Sequence, residues 1–316
     1  MGFIHGCNIC NTSKDGGELN TEDLQTKIIV EQKINTNQMR QDSKMSSYEI
    51  NKILTEMNVL TSYDIEFPSD ILTQNIGKRE GLKHEDINYD NGDSYQGTIN
   101  KNNKKEGYGT YKTKNGFKYK TVWKDDKITD YGIFIEPEGN YIKGHIVNGI
   151  ITKGEILFKN KFKYIGNFLN NLPHNKGILY NFSDKYIYEG EFAEGNIDGE
   201  GIIRYFNGSM YEGQFKNWKY EGKGKITFKN GGSYEGDFYN NLIHGKGKYI
   251  YPDGKIYEGN FQNGLKHGFG KISWNENKYF EGFWINNRQH GEGKYFLNGK
   301  ILNAIFRYGK LIMKIG

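Results

Sequence analysis

Four consecutive stretches of this chain, beginning at Tyr188, Tyr211, Tyr234 and Tyr257, share a length of 23 residues and nearly the same text. One reads YEGDFYNNLIHGKGKYIYPDGKI and the next YEGNFQNGLKHGFGKISWNENKY. A period this short excludes a domain built round one central core, because each unit can bury its apolar face only by stacking on its neighbours. A further unit begins FEGFW at Phe280, and looser copies from Tyr95, Tyr119, Tyr141 and Tyr164 bring the count to nine. Half-units flank them: Gly81-Leu82-Lys83-His84 repeats Gly264-Leu265-Lys266-His267, and Ala304 takes a glycine place near the other end.

Alternate side chains of a strand share a face. Tyr234, Gly236 and Phe238 therefore fall on one side, and Glu235 and Asp237 on the other. Glycine leaves a gap that a ring of the neighbouring hairpin can enter, so the expected packing pairs are Tyr188 with Gly190, Tyr211 with Gly213, Tyr234 with Gly236, and Tyr257 with Gly259. Asn263-Gly264, Asp253-Gly254, Asn207-Gly208 and Asn298-Gly299 supply the positive φ of hairpin turns. Glu189, Glu212, Glu235, Glu258 and Glu281 follow the first aromatic of their units, and Lys225, Lys248, Lys271 and Lys294 follow the second glycine. Opposite charges in register predict a cross-strand ladder on the second face. The fold class read from this pattern is all-β: a tandem array of hairpins, about 90 Å long at two strands per unit.

Composition agrees with short strands and tight turns. Glycine (42 residues), tyrosine (24) and phenylalanine (19) are abundant and proline (4) is rare, so aromatics must do the packing usually left to aliphatic side chains. Both cysteines, Cys7 and Cys10, precede the array, which must stand without disulfides. No long apolar run or secretory leader is visible, and the chain reads as soluble and cytoplasmic. The formal charge of +5 is uneven: residues 1–80 carry 8 basic against 12 acidic side chains, so the array is the basic part. Acidic partners are favoured. Three regions follow: a mobile polar segment over 1–47, a short amphipathic helix and linker over 48–80, and the array over 81–316. The helix is read from Ile50, Ile53, Leu54, Met57 and Leu60, with Ser46 and Ser47 as caps.

A unit reading Tyr-Glu-Gly-x-Phe, then Asn-Gly-x-x-His-Gly-x-Gly, then an aromatic and Pro-Asp-Gly, resembles the MORN repeat (membrane occupation and recognition nexus). Tyr257 to Gly270 carries nearly every position of that motif. Thr121 and Lys143 stand where the first glycine is expected, and Thr152 and Asn175 where the glycine after the histidine is expected, so the sheet is expected to bend or break over units two to four. The resemblance implies an extended, single-layer, twisted antiparallel sheet of successive hairpins, and a stand-alone structural protein of the kind found in ciliary, flagellar and membrane-junction scaffolds, since neither a lipid kinase nor a methyltransferase domain accompanies the repeats.

No catalytic residue, metal ligand or cofactor site is expected. His174, His244, His267 and His290 recur at one repeat position. Successive copies lie about 9–10 Å apart, too far to share a metal. Gly268-Phe269-Gly270-Lys271 lacks the spacing and the strand-to-helix switch of a phosphate loop. Gly2 with Cys7 and Cys10 has the outline of a doubly acylated anchor, although Phe3 and Gly6 depart from the acceptor pattern; a metal or redox Cys-x-x-Cys and an inert tail are the competing readings. Lys118, Lys120, Lys159, Lys161 and Lys163, interleaved with aromatics, read as one basic strand face for anionic lipid or an acidic protein tail, or as a merely solvated face. The functional expectation is a non-catalytic scaffold for cytoskeletal or ciliary proteins. The alternative is a tether on the cytoplasmic face of a membrane. Self-association through the apolar segment Leu311 to Ile315 is expected, and nucleic acid is not an expected partner.

Overall fold

In the computed structural model, residues 67–68 and 81–315 are described; the expected helix, Gly2, Cys7 and Cys10 lie outside them. All regular elements among the described residues are strands, and the twenty-one strands form one open antiparallel sheet. They fall into two compact units, divided in the chain between Asn196 and Ile197. The first holds β1 (Lys83–Asn88), β2 (Ser94–Ile99), β3 (Lys105–Lys112), β4 (Lys118–Lys124), β5 (Lys127–Ile135), β6 (Tyr141–Val147), β7 (Ile150–Phe158), β8 (Phe162–Leu169), β9 (Leu172–Asn181) and β10 (Tyr186–Ala193). The second holds nearly all of β11 (Asn196–Tyr205), then β12 (Met210–Lys216), β13 (Lys219–Thr227), β14 (Ser233–Tyr239), β15 (Leu242–Ile250), β16 (Ile256–Gln262), β17 (Leu265–Asn275), β18 (Lys278–Ile285), β19 (Arg288–Leu297), β20 (Lys300–Arg307) and β21 (Lys310–Ile315).

Within each unit, strands pair with their neighbours in the chain, and glycine faces glycine at the centre of most pairs, as in Gly224 with Gly236 and Gly247 with Gly259. The ring over these glycines is not a neighbour's, as the sequence suggests. It is the tyrosine of the same hairpin: a Cβ on Gly224 would lie 2.5 Å from the Tyr211 hydroxyl oxygen. The phenol is drawn across its own glycines because its hydroxyl donates to the carbonyl three residues on, Tyr211 to Gln214 at 2.9 Å and Tyr257 to Asn260 at 3.0 Å. The neighbouring hairpin instead supplies its second aromatic edge-on, Phe238 to Tyr211 at 5.0 Å and Phe261 to Tyr234 at 5.2 Å. Tyr188, Tyr211, Tyr234 and Tyr257 are fully buried by these contacts. This face is the core.

Two kinds of turn alternate in the regular repeats. The tight one places both central residues at positive φ, as at Asn240-Asn241 and Asn263-Gly264, which matches the twist of the strands it joins. The longer one needs only the glycine: in Asp253-Gly254, Gly254 alone has positive φ and donates to the Tyr251 carbonyl at 2.9 Å.

The expected break over units two to four does not occur, because β4 to β9 pair without interruption. Thr121 fills a glycine place while fully buried, donating its hydroxyl to the Tyr131 carbonyl at 2.8 Å. Lys143 is not in a glycine place: the frame shifts by one residue, and Gly144 faces Gly132 and Gly154. That shift carries Ile142 to the tyrosine position, opposite Ile156, and Tyr141 to the other face, opposite Ile135 and Leu157. Asn175 keeps the positive φ of the glycine it replaces, at 55°, as asparagine readily does.

Candidate docking surface

With the aromatic face closed, the charged face is the one left for partners. In the second unit its central row alternates strand by strand: Glu212, Lys225, Glu235, Lys248, Glu258, Lys271, Glu281 and Lys294 are successive register partners. The expected ladder is present. Lys225 and Glu235 approach to 3.5 Å with both side chains more than half exposed, a geometry worth under about 1 kcal/mol in water. Solubility and pattern are what such a row supplies.

A second row beside it has a structural duty the sequence did not advertise. The second strand of each hairpin carries a bulge at a glycine of positive φ, such as Gly222 and Gly245, and a bulge leaves backbone groups without a ladder partner. The residue between the unit's first glycine and its second aromatic satisfies them. Gln214 Oε1 accepts from the Lys223 amide at 3.1 Å, Asp237 Oδ2 accepts from Lys246 at 2.9 Å, and Asn260 Nδ2 donates to the Phe269 carbonyl at 3.0 Å. Burial would raise the Asp237 carboxyl, but hydrogen bonds from the Lys223 ammonium and the Lys246 amide hold it below the usual value.

Phe269 and Phe283 interrupt this row. They are register partners at 5.5 Å, edge to face, 47% and 51% exposed. Phe269, the ladder charges and the glycine pairs between them line an open trough of about 1310 Å³.

In the first unit the ladder positions read Gln96, Thr110, Lys120, Ile133, Lys143, Glu155, Ile165, Ile178 and Glu189 across successive strands. Charge gives way to aliphatic side chains. The five lysines expected to share one strand face do not do so. Lys118 and Lys120 share a face of β4, whereas Lys159 and Lys161 lie in the turn between β7 and β8, and Lys163 belongs to β8. Lys163 Nζ is 3.3 Å from Glu155, which Lys143 also approaches at 3.6 Å and to which the Tyr141 hydroxyl donates. Burial, and then this carboxylate, push the Tyr141 phenol well above its ordinary value.

Two lysine cages on the aromatic face were not anticipated. Lys105 Nζ lies 5.3–5.7 Å from the rings of Tyr89, Tyr95, Tyr111 and Trp123, and 3.3 Å from Asp126. Lys266 repeats the arrangement with Trp284 at 4.6 Å, Tyr257 at 5.5 Å and Tyr251 at 5.7 Å. Each cage pairs a lysine that stands opposite its own unit's second aromatic position, Ile99 for Lys105 and Phe261 for Lys266, with a tryptophan at that position of the next repeat, the ring best suited to hold a cation. Of the recurring histidines, His244 and His290 accept from turn amides, at 3.4 Å from Asn263 and 3.5 Å from Tyr308. No group of three or more His, Cys, Asp or Glu suited to a metal occurs among the described residues.

An open sheet of tandem hairpins, most of them laying an aromatic ring across their own pair of glycines, defines a class of repeat protein. The chain belongs to the MORN-repeat proteins: the MORN repeat profile matches residues 95–117, 164–181, 188–210, 211–233, 234–256, 257–277 and 280–300. The two shifted or glycine-poor repeats from Tyr119 and Tyr141 are not among the seven. No curated protein matches the sequence. Among solved structures, the chain is similar to the wild-type TCP10 domain of Danio rerio CPAP in complex with a peptide of Danio rerio STIL, at 9% identity and a TM-score of 0.34, covering 74% of this chain and 99% of that one. It is also similar to the SAS-4 (dCPAP) TCP domain of Drosophila melanogaster in complex with a proline-rich motif of Ana2, at 15% identity and a TM-score of 0.28, covering 52% and 83%.

Proposed function

We propose that this chain is a non-catalytic scaffold that holds other proteins against the ladder face of its repeat sheet, within a cytoskeletal or ciliary assembly. The observation that carries the reading is the solvent-exposed Phe269–Phe283 pair, whose Phe269 lines the charged trough of the second unit. An aromatic anchor rimmed by charge is the usual anatomy of a protein interface. A trough open along its length suits an extended polypeptide better than a small molecule. The assembly setting rests on the resemblance to stand-alone repeat scaffolds. The membrane-tether reading rests on Gly2, Cys7 and Cys10, which lie outside the described residues, and on a basic face to which only Lys118, Lys120 and Lys163 of the five lysines contribute from strands. A second copy of the chain is the proposed partner of β21, whose side chains are all exposed.

Proximity labelling in cells, with the wild type beside a Phe269→Ser/Phe283→Ser variant, tests the scaffold reading. A compact set of cytoskeletal proteins that the variant loses is expected. A set dominated by metabolic enzymes, or one that the variant keeps in full, overturns it.

A further inference from the structure

The ladder face of the first unit contains an apolar break that is already covered. Tyr108, Val122, Tyr131 and Ile133 form a cluster on that face, with Val122 opposite Tyr108 in register, and Ile133 is fully buried. Phe67, which belongs to none of the strands, packs on this cluster: it is 7% exposed and lies 4.8 Å from the Tyr108 ring and 5.3 Å, edge-on, from that of Tyr131. Pro68 follows it directly. Phe67 precedes the first strand by more than a dozen residues, so the contact is made by a segment outside the array reaching over it.

Three features mark this as a built recognition site. The regular repeats put Glu or Lys in the row where the first unit puts Ile133, so the patch replaces a solubilising feature. Its occupant is one aromatic ring, the residue type that anchors protein interfaces. That ring is presented by a neighbouring stretch of the same chain, and a tethered ligand is held by an effective concentration on the order of millimolar rather than by intrinsic affinity.

We propose that the Tyr108–Val122–Tyr131–Ile133 patch is a docking site for a peptide that presents an aromatic residue followed by proline, and that Phe67–Pro68 fills it in cis and so gates access by a partner of that chemistry. The ligand class is read from the occupant: a ring enters between Tyr108 and Tyr131, and proline keeps the residue before it extended, which suits a chain lying along a sheet face.

The test uses the full chain. A fluorescent peptide with the sequence of residues 62–72 is titrated into wild type, Phe67→Ala and Phe67→Ala/Val122→Lys proteins, with circular dichroism confirming that each is folded. Saturable binding to Phe67→Ala is expected, at least about tenfold weaker to wild type, where the site is filled at the effective concentration of the tether. Binding is lost with Val122→Lys. A peptide carrying alanine in place of the phenylalanine should not bind Phe67→Ala, which keeps the test decisive if the double variant fails to fold. Equal binding to wild type and Phe67→Ala, no binding to either, or undiminished binding of the alanine peptide overturns the proposal.

Discussion

A methyl group on Gly224 would meet the Tyr211 hydroxyl oxygen at 2.5 Å, whereas one on Gly254 would meet nothing within 4 Å. The two glycines are therefore required for different reasons. Gly224 yields space to a ring; Gly254, at φ +84°, yields a backbone conformation that a side chain resists. Gly224→Ala should destabilise by about 1–3 kcal/mol through overpacking, and Gly254→Ala by about 1–2 kcal/mol through the left-handed backbone. Urea midpoints at unchanged slope measure both. A second change separates the causes: Tyr211→Leu removes the ring, so its cost and that of Gly224→Ala should fall short of additive, by more than about 0.5 kcal/mol, while Tyr211→Leu and Gly254→Ala should add. Additivity in the first pair would mean that the ring is not what excludes the methyl group.

Among the strands, the two outermost by register differ in how they treat their open edges. β1 presents Lys83, His84, Glu85 and Asp86, charges that discourage another chain from pairing. β21 presents Leu311, Ile312, Met313 and Ile315, between 38% and 59% exposed, and pairs only with β20. An apolar strand with one unpaired edge is a template for β-addition. Wild-type protein should sediment faster as its concentration rises, and Ile312→Lys/Met313→Lys should stay at the monomer value, because charges at the edge repel a like strand. A wild type that remains monomeric across the range removes the second copy as the partner of β21. The bulges act at this level too. In the units from Tyr211, Tyr234 and Tyr257 each is tied down by the Gln, Asp or Asn that precedes the second aromatic, whereas the unit from Phe280 puts Phe283 there.

Across the molecule, burial raises the phenol pKa of Tyr95, Tyr141, Tyr164, Tyr211, Tyr234 and Tyr257 well above the ordinary value. Below about pH 10, the usual phenol pKa, folded and unfolded chains both keep these protons and the stability is whole. Above it the unfolded chain releases protons that the folded chain retains, so stability falls as pH rises. Lys266 has the opposite sign: burial lowers its ammonium pKa, so below the unfolded lysine value the unfolded chain binds more protons and stability climbs with pH. One lysine against six tyrosines leaves the tyrosines in control. Alkaline unfolding should begin near pH 10, with loss of strand circular dichroism coinciding with the rise of tyrosinate absorbance. Ionisation well ahead of unfolding would show that the rings are accessible in the folded sheet. The 23-residue period, the hairpins, the aromatic and charged faces and the turns were legible in the text, because strand parity and positive φ are local properties that Tyr, Gly, Asn and Glu report wherever they stand. The ring over its own glycines, the frame shift that rescues Gly144, the lysine cages and the seat of Phe67 were not. Each depends on which atoms meet across strands or from outside the array, and a repeat motif describes one unit without its neighbours. The regular repeats announced themselves; the docking face of the irregular ones emerged only when the chain was folded against itself.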